Sequence, residues 1–88
     1  MEVFQTNQFK KAVKRLHANQ KKTLDEIVKI IQRNPTIGEE KIGDLAGIRV
    51  YKHHILKQLV LVAYKLDKNK ITLMAIGSHQ NFYRDLKK

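Results

Sequence analysis

The chain has 88 residues, of which 42% are hydrophobic, and its 18 Lys and Arg outnumber its 8 Asp and Glu to give a formal charge of +10. This length predicts a single domain, residues 1–88, with a core near the lower limit for a chain that lacks covalent staples. The absence of cysteine excludes disulfides and thiolate metal sites, and the longest apolar run, 59–64, is too short to cross a bilayer. Because the N-terminus has no signal-peptide pattern, we expect a soluble cytoplasmic protein without a membrane partner.

The net positive charge is higher in the second half of the chain. Residues 1–44 carry 9 basic and 6 acidic side chains, whereas residues 45–88 carry 9 and 2. An excess of this size attracts polyanions and speeds encounter with them. Nucleic acid or a ribonucleoprotein is therefore the favoured partner, although an acidic protein or a merely solvated basic surface would also fit.

The first 35 residues predict a short strand followed by a helical hairpin. Residues 3–5 form the possible strand, and Thr6 is the predicted N-cap of the first helix. Apolar side chains then recur three and four positions apart in two segments, which are Phe9, Ala12, Val13 and Leu16, and Leu24, Ile27, Val28 and Ile31. The sequence predicts that Asn19-Gln20 separates the two helices and that Asn34-Pro35 ends the second.

After Pro35 the pattern becomes that of a β-meander. Residues 37–44 are predicted to be a loop, and segments 47–54, 58–66 and 70–76 are dense in β-branched and apolar residues. The middle segment is apolar on both sides and should lie centrally with both faces covered. Residues 80–88 should form a short C-terminal helix with Ser78 as its N-cap. The predicted fold is α+β, with a helical hairpin packed on a small twisted antiparallel sheet.

Three polar side chains are predicted to share one face of the first meander strand. Arg49, Tyr51 and His53 alternate with Ile48 and Val50, which we expect to lie beneath the helices. Lys52 and His54 stand near the end of the same strand. A solvated sheet face is the alternative interpretation of these polar residues, and it remains open.

The end of the last strand should bring further polar residues toward this sheet, namely His79, Tyr83 and Arg84. Histidine, arginine, lysine and tyrosine suit the cleavage of RNA through its own 2′-hydroxyl, which needs a base, an acid and cations for the charge on phosphorus. His79 is the predicted principal acid or base, and His53 or His54 is the second proton carrier.

Of the remaining candidates, Tyr83 and Arg84 complete the predicted catalytic set with the three histidines, and Arg49, Lys52 and Tyr51 would bind the substrate. Arg49, Lys52 and Arg84 would stabilise phosphate charge, while the Tyr83 and Tyr51 rings contribute contacts to the RNA. We predict no cofactor, because the glycines are too scattered for a phosphate loop. We also predict no metal, since adjacent strand residues such as His53 and His54 point to opposite faces.

With these residues in view, the sequence resembles the RelE/ParE superfamily of bacterial type II toxin–antitoxin toxins. The likeness covers nearly the whole chain and is carried by three stretches, "NPTIGEEKIGDLAGIRVYK", "LVAYKL" and "GSHQNFYRDLKK". The closing "GSH" and the aromatic pair after it are similar to the YafQ branch. In that branch the corresponding histidine is catalytic and an aromatic residue follows four positions later, which matches His79 and Tyr83.

The resemblance implies a toxin that binds the ribosomal A site, cuts mRNA there and is silenced by a cognate antitoxin. On charge grounds we expect that antitoxin to be acidic. The ParE-type members instead poison DNA gyrase and cut no RNA, and this chain has Leu61 near the position where RelE carries an arginine. An inactive module that binds only an antitoxin is a third hypothesis.

Overall fold

The computed structural model describes residues 2–55 and 58–78 of the chain. Its elements in chain order are strand β1 (Glu2–Gln5), helices α1 (Asn7–Lys14) and α2 (Ala18–Arg33), strand β2 (Glu39–Glu40), a 3₁₀ turn (Gly43–Leu45), and strands β3 (Ile48–Ile55), β4 (Gln58–Asp67) and β5 (Lys70–Gly77). The predicted α+β fold is confirmed. The C-terminal helix predicted for residues 80–88, with its cap at Ser78, lies outside the described residues.

The start of α1 follows the prediction. The Thr6 hydroxyl accepts a hydrogen bond of 3.1 Å from the backbone N–H of Phe9, which satisfies one of the free donors at the helix start. The Phe9 side chain is buried at the first turn of the same helix. Thr6 therefore fixes the point at which β1 turns into the helical hairpin.

The break between the helices comes earlier than Asn19-Gln20, where the sequence predicted it. α1 ends at Lys14 and α2 begins at Ala18. The backbone N–H of His17 donates to the Gln20 side-chain carbonyl at 2.8 Å, an arrangement that places Asn19 and Gln20 inside the first turn of α2. Polar residues that appeared to interrupt a helix therefore begin one.

Helix α2 presents one apolar face to the sheet and ends where predicted. Leu24, Ile27 and Ile31 are buried at helical spacing. The helix stops at Arg33, one residue before Asn34-Pro35, because proline disfavours the helical conformation of the residue that precedes it. Neither of the described helices is long and apolar enough to span a membrane.

Within residues 2–55 and 58–78, the sheet has five strands in the order β1-β5-β4-β3-β2, and it is mixed rather than purely antiparallel. β3, β4 and β5 form the predicted antiparallel meander, but β1 pairs with β5 in parallel. Parallel neighbours need a long connection, which the intervening elements of the chain supply. Part of the predicted 37–44 loop also forms the two-residue strand β2 along β3.

A bulge in β5 contacts the N-cap residue of the first helix. Ala63 pairs with Ala75 but Tyr64 pairs with Leu73, so Met74 is an extra residue in the ladder. The Thr6 hydroxyl lies 3.4 Å from the Met74 carbonyl oxygen and donates to it. The cap of α1 thus also contacts the irregular position of β5.

The core lies on both faces of β4, as predicted for the central strand. The face under the helices holds a cluster that is buried with the α1 and α2 side chains: Phe9, Leu24, Ile27, Ile31, Val62, Tyr64, Ile71 and Leu73. The opposite face holds a second, smaller buried cluster: Val50, Leu61, Ala63 and Ala75.

The prediction that Ile48 and Val50 lie beneath the helices is wrong. Val50 pairs with Ala63 and Ile48 packs beside it on the opposite face, whereas Tyr51 pairs with Val62 and packs against the helix-side cluster. Alternation along β3 separates the two sets correctly, but it does not say which set meets the helices.

Candidate functional site

Arg49, Tyr51 and His53 lie in a row on the helix-packed face of β3, and all three are half-buried. The middle residue of the row, Tyr51, packs against the helix-side core. The row is therefore not an open, solvated face. It has an aromatic centre that is anchored in the core and a polar side chain at each end.

Tyr51 and His53 contact one another within this row. The Tyr51 hydroxyl lies 3.4 Å from Nδ1 of His53, and the two ring centroids are 5.9 Å apart. When the phenol donates to Nδ1, the proton of the neutral imidazole resides on Nε2. The contact can therefore orient the ring of His53 and leave its Nε2 for a substrate.

Lys52 and His54 lie on the other face of β3, where both are exposed. Their cross-strand partners are Leu61 and Leu59 on β4. The structure thus divides the five β3 candidates between two surfaces. Arg49, Tyr51 and His53 can act together, but Lys52 and His54 cannot join them on the same face.

The end of β5 lies across the sheet from these residues. Lys52 pairs with Leu61, and Leu61 pairs with Gly77, so the three residues form one row across β3, β4 and β5. Two strand spacings amount to about 10 Å between the backbones of Lys52 and Gly77. The chain therefore leaves β5 at the end of the sheet that carries the two β3 histidines. The candidates that follow, His79, Tyr83 and Arg84, lie outside the described residues.

Arg49 holds the loop that connects α2 to β2. Its Nη1 donates to the carbonyl oxygens of Gly38 at 2.8 Å and Thr36 at 3.3 Å. Its Nη2 lies 3.7 Å from a carboxylate oxygen of Glu40. The sequence predicted a phosphate ligand at this position, and the structure gives the side chain a structural role as well.

Tyr64 holds the same loop, a role that the sequence analysis missed. Its hydroxyl donates to the Pro35 carbonyl oxygen at 2.6 Å and accepts from the backbone N–H of Gly38 at 2.9 Å. Tyr64 is also fully buried. The available signal was the tyrosine itself, since a hydroxyl inside an apolar strand must find partners when it is buried.

The surroundings of Tyr64 raise the pKa of its hydroxyl. Burial is the main cause, because it disfavours the phenolate. The hydrogen bond from Gly38 and the positive charge of Arg49 oppose the shift without cancelling it. The close approach also requires glycine at position 38, where a Cβ atom would lie 2.7 Å from the Tyr64 hydroxyl oxygen.

The helical hairpin adds an exposed basic surface. Exposed lysines lie on α1 and on the first half of α2, namely Lys10, Lys11, Lys14, Lys21 and Lys22. Among the described residues, no three His, Cys, Asp or Glu side chains are grouped closely enough to hold a metal ion.

Solved toxin structures have a similar fold. A YoeB/ParE toxin from Agrobacterium tumefaciens superposes with a TM-score of 0.72 at 17% identity, covering 90% of this chain and 99% of the other. A chain of the intact E. coli RelBE toxin–antitoxin complex gives 0.70 at 14% identity, with coverage of 90% and 96%. The isolated E. coli RelE toxin gives 0.68 at 14% identity, with coverage of 88% and 82%. At these identities the likeness establishes the fold.

The chain thus shares its fold with small toxins of bacterial toxin–antitoxin systems. A family model described as "ParE-like toxin of type II bacterial toxin-antitoxin system" matches residues 3–87, and the chain belongs to this family. The RelE/ParE resemblance that its motifs predicted is confirmed. No curated protein matches the sequence.

Proposed function

We propose that this toxin is a ribosome-dependent endoribonuclease that cuts mRNA and arrests translation. The proposal rests mainly on the cross-strand alignment of Lys52, Leu61 and Gly77. Because of this alignment, the chain leaves β5 at the end of the sheet that bears His53 and His54. His79 follows two residues after Gly77. A histidine just beyond that strand end would supply, together with one of the β3 histidines, the acid and the base that RNA cleavage needs.

The proposed reaction uses the 2′-hydroxyl of the RNA as nucleophile. One histidine, as neutral imidazole, removes the 2′-hydroxyl proton, and the 2′-oxygen forms a bond to phosphorus. The bond from phosphorus to the 5′-oxygen breaks as the other histidine, as imidazolium, protonates that oxygen. The products are a 2′,3′-cyclic phosphate and a 5′-hydroxyl end. His79 is the principal acid or base. His53 and His54 lie on opposite faces, so only one of them can be its partner.

The other candidates stabilise charge or hold the RNA. Arg84 and either Arg49 or Lys52 would face the phosphate, where cations favour the developing negative charge. Tyr83 would stack on an unpaired base. The contact of Tyr51 with His53 supports His53 over His54 as the second proton carrier, because that imidazole has an orienting partner.

A gyrase inhibitor without nuclease activity is the second candidate function. The family model that matches the chain is described as ParE-like. The centre of β4 also offers no cation to a substrate, since the residue there is the buried, uncharged Leu61. Arg49 is also partly committed to the loop. These observations fit a toxin that acts by binding alone.

One experiment separates the two functions. The toxin is expressed briefly in a sensitive host, and mRNA 5′ ends are mapped in the same cells in which the SOS response is measured. For the nuclease we expect new mRNA 5′ ends at in-frame positions and no SOS induction. These ends should ligate only after phosphorylation, because the proposed reaction leaves a 5′-hydroxyl. SOS induction with intact messages would overturn the nuclease proposal in favour of gyrase inhibition.

The proposed partner is a cognate acidic antitoxin, and the proposed location is the cytoplasm, where ribosomes and mRNA are found. One structural neighbour comes from a toxin–antitoxin complex, and a charge of +10 favours an acidic binder. Its contact surfaces would be the hairpin, edged by Lys10, Lys14 and Lys21, and the sheet around Arg49 and Lys52.

Stopped-flow mixing with the acidic protein encoded beside the toxin tests this partner. The association rate should fall steeply between about 50 and about 500 mM salt, as the Debye length shrinks roughly threefold. The dissociation rate should change much less, since buried apolar surface would hold the complex. An association rate that is independent of salt would contradict electrostatic steering.

A further inference from the structure

Arg49 has one side bound to the backbone and the other side facing a carboxylate. Nη1 is held by the carbonyl oxygens of Gly38 and Thr36. Nη2 faces Glu40, which is the direct cross-strand neighbour of Arg49 in the β2–β3 pairing. The guanidinium is therefore fixed in place independently of Glu40.

The contact with Glu40 is the exchangeable one. The Nη2 to carboxylate distance is 3.7 Å, and 62% of the Glu40 side chain is exposed. An exposed ion pair of this kind contributes little to stability and can open at low cost. The two carbonyl bonds on Nη1 would hold the guanidinium while the carboxylate moves away. Because Arg49 remains 22% exposed, the vacated side would be accessible.

A phosphate group is a suitable replacement for this carboxylate. Guanidinium binds phosphate oxygens with the same charge-assisted geometry that it uses for carboxylates. A guanidinium that is already oriented loses less conformational freedom on binding than a free one. Glu40 thus occupies a position that a nucleic-acid phosphate can take.

We propose that Glu40 is an intramolecular competitor for the phosphate site of Arg49. It neutralises Nη2 in the free toxin and is displaced when a phosphate of a single-stranded nucleic acid binds. That the natural ligand is an RNA phosphate rests on the proposed function. The competition itself requires only the geometry of Arg49 and Glu40.

The adjacent glutamate provides a matched control. Glu39 precedes Glu40 in the same two-residue strand, but it is paired with Val50 on the other face of the sheet and contacts Lys41 at 3.6 Å. Glu39→Gln and Glu40→Gln each remove one negative charge from neighbouring positions. Any general effect of net charge on polyanion binding should therefore be the same in both variants.

The test measures binding of a short single-stranded DNA oligonucleotide, which lacks the 2′-hydroxyl and cannot be cleaved. Fluorescence anisotropy at about 100 mM salt limits the influence of distant charges. Glu40→Gln is expected to bind more tightly than Glu39→Gln, by up to about fivefold, which is the range expected for an exposed ion pair. Equal dissociation constants for the two variants would overturn the proposal.

A second measurement shows whether the gain acts through Arg49. In an Arg49→Lys background, where the forked guanidinium is absent, Glu40→Gln should no longer exceed Glu39→Gln. Circular dichroism of the Arg49→Lys protein tests whether it is folded. If the excess persists in that folded background, Glu40 does not compete for Arg49 and the proposal is wrong.

These outcomes are independent of cleavage. If wild-type toxin cuts no mRNA and Glu40→Gln still binds the oligonucleotide more tightly than Glu39→Gln, the nuclease proposal fails and the competitor role stands. If wild-type toxin cuts mRNA and the two variants bind alike, the competitor role alone fails.

Discussion

Arg49 and Tyr64 are cross-strand neighbours that bind the two polar backbone groups of one residue, Gly38. Arg49 Nη1 donates to the Gly38 carbonyl oxygen at 2.8 Å, and the Gly38 N–H donates to the Tyr64 hydroxyl at 2.9 Å. The loop after α2 is thereby attached to two central strands of the sheet. Because β2 begins directly after Gly38, the same contacts bring Glu40 opposite Arg49.

Tyr64→Phe should lower the free energy of unfolding by about 1–3 kcal/mol. The substitution removes the partner of the Gly38 N–H and the donor to the Pro35 carbonyl, and Tyr64 is fully buried. Tyr51→Phe is the control, because it removes only a half-buried contact of 3.4 Å, and it should cost less. Urea denaturation measures both. Equal midpoints for Tyr64→Phe and wild type would contradict the assigned role of the hydroxyl.

Stability should fall at high pH because of Tyr64. Its pKa in the folded state is raised above the ordinary value of 10.0 by burial, so the folded protein holds the hydroxyl proton more tightly than the unfolded chain does. This contribution is fully present below pH 10.0 and is lost as the pH rises through the folded pKa.

The difference in unfolding free energy between wild type and Tyr64→Phe isolates this effect, since all other titratable groups are common to both proteins. The difference should be constant up to about pH 9 and should shrink as the pH approaches about 12. A difference that stays constant across this range would show that the pKa of Tyr64 is the same in the folded and unfolded states.

Gly38→Ala should destabilise the protein by about 1–3 kcal/mol through overpacking. The new Cβ atom would lie 2.7 Å from the Tyr64 hydroxyl oxygen and 2.8 Å from its Cε1. Removal of the hydroxyl relieves the shortest of these contacts, so Gly38→Ala should cost less in a Tyr64→Phe background.

Gly43→Ala is the control for this double-mutant cycle. A Cβ at Gly43 meets nothing within 4 Å, and its cost comes only from the positive φ of 73°. Its effect should therefore add to that of Tyr64→Phe. Additive behaviour for Gly38→Ala as well would argue against the close contact with Tyr64.

His79→Ala should abolish growth arrest and slow mRNA cleavage on purified ribosomes by about 10²–10⁴, the usual effect of removing a general acid or base. Antitoxin binding should be unchanged. His17→Ala removes the same side chain from an exposed position before α2 and should remain toxic. Full toxicity of His79→Ala would rule out its assignment as the principal proton carrier.

The sequence determined those features that depend on neighbours along the chain. The three- and four-residue spacing of Phe9, Val13, Leu24, Ile27 and Ile31 predicted two helices with one buried face. Pro35 ended the second helix because its ring sterically disfavours a helical conformation at the residue that precedes it. The continuous apolar run of β4 predicted a strand covered on both faces, and the motifs from residue 34 onward were sufficient to indicate the superfamily.

Tertiary structure decided the features that depend on which surfaces meet. Periodicity divided β3 into two sets, but both contain large apolar groups, so only the pairing of Tyr51 with Val62 and of Val50 with Ala63 shows which set faces the helices. The parallel pairing of β1 with β5 has no local signal, because it joins segments about 70 positions apart.

In the candidate site, too, the sequence predicted the features that depend on neighbours along the chain but not the tertiary contacts. Arg49, Tyr51 and His53 were recognised as one row because alternation along a strand is a local property. Their partners were not recognised, since the contacts of Arg49 and Tyr64 with Gly38 join residues 11 and 26 positions apart. A buried guanidinium or hydroxyl must find hydrogen-bond partners, but only the folded chain determines which backbone groups come within reach.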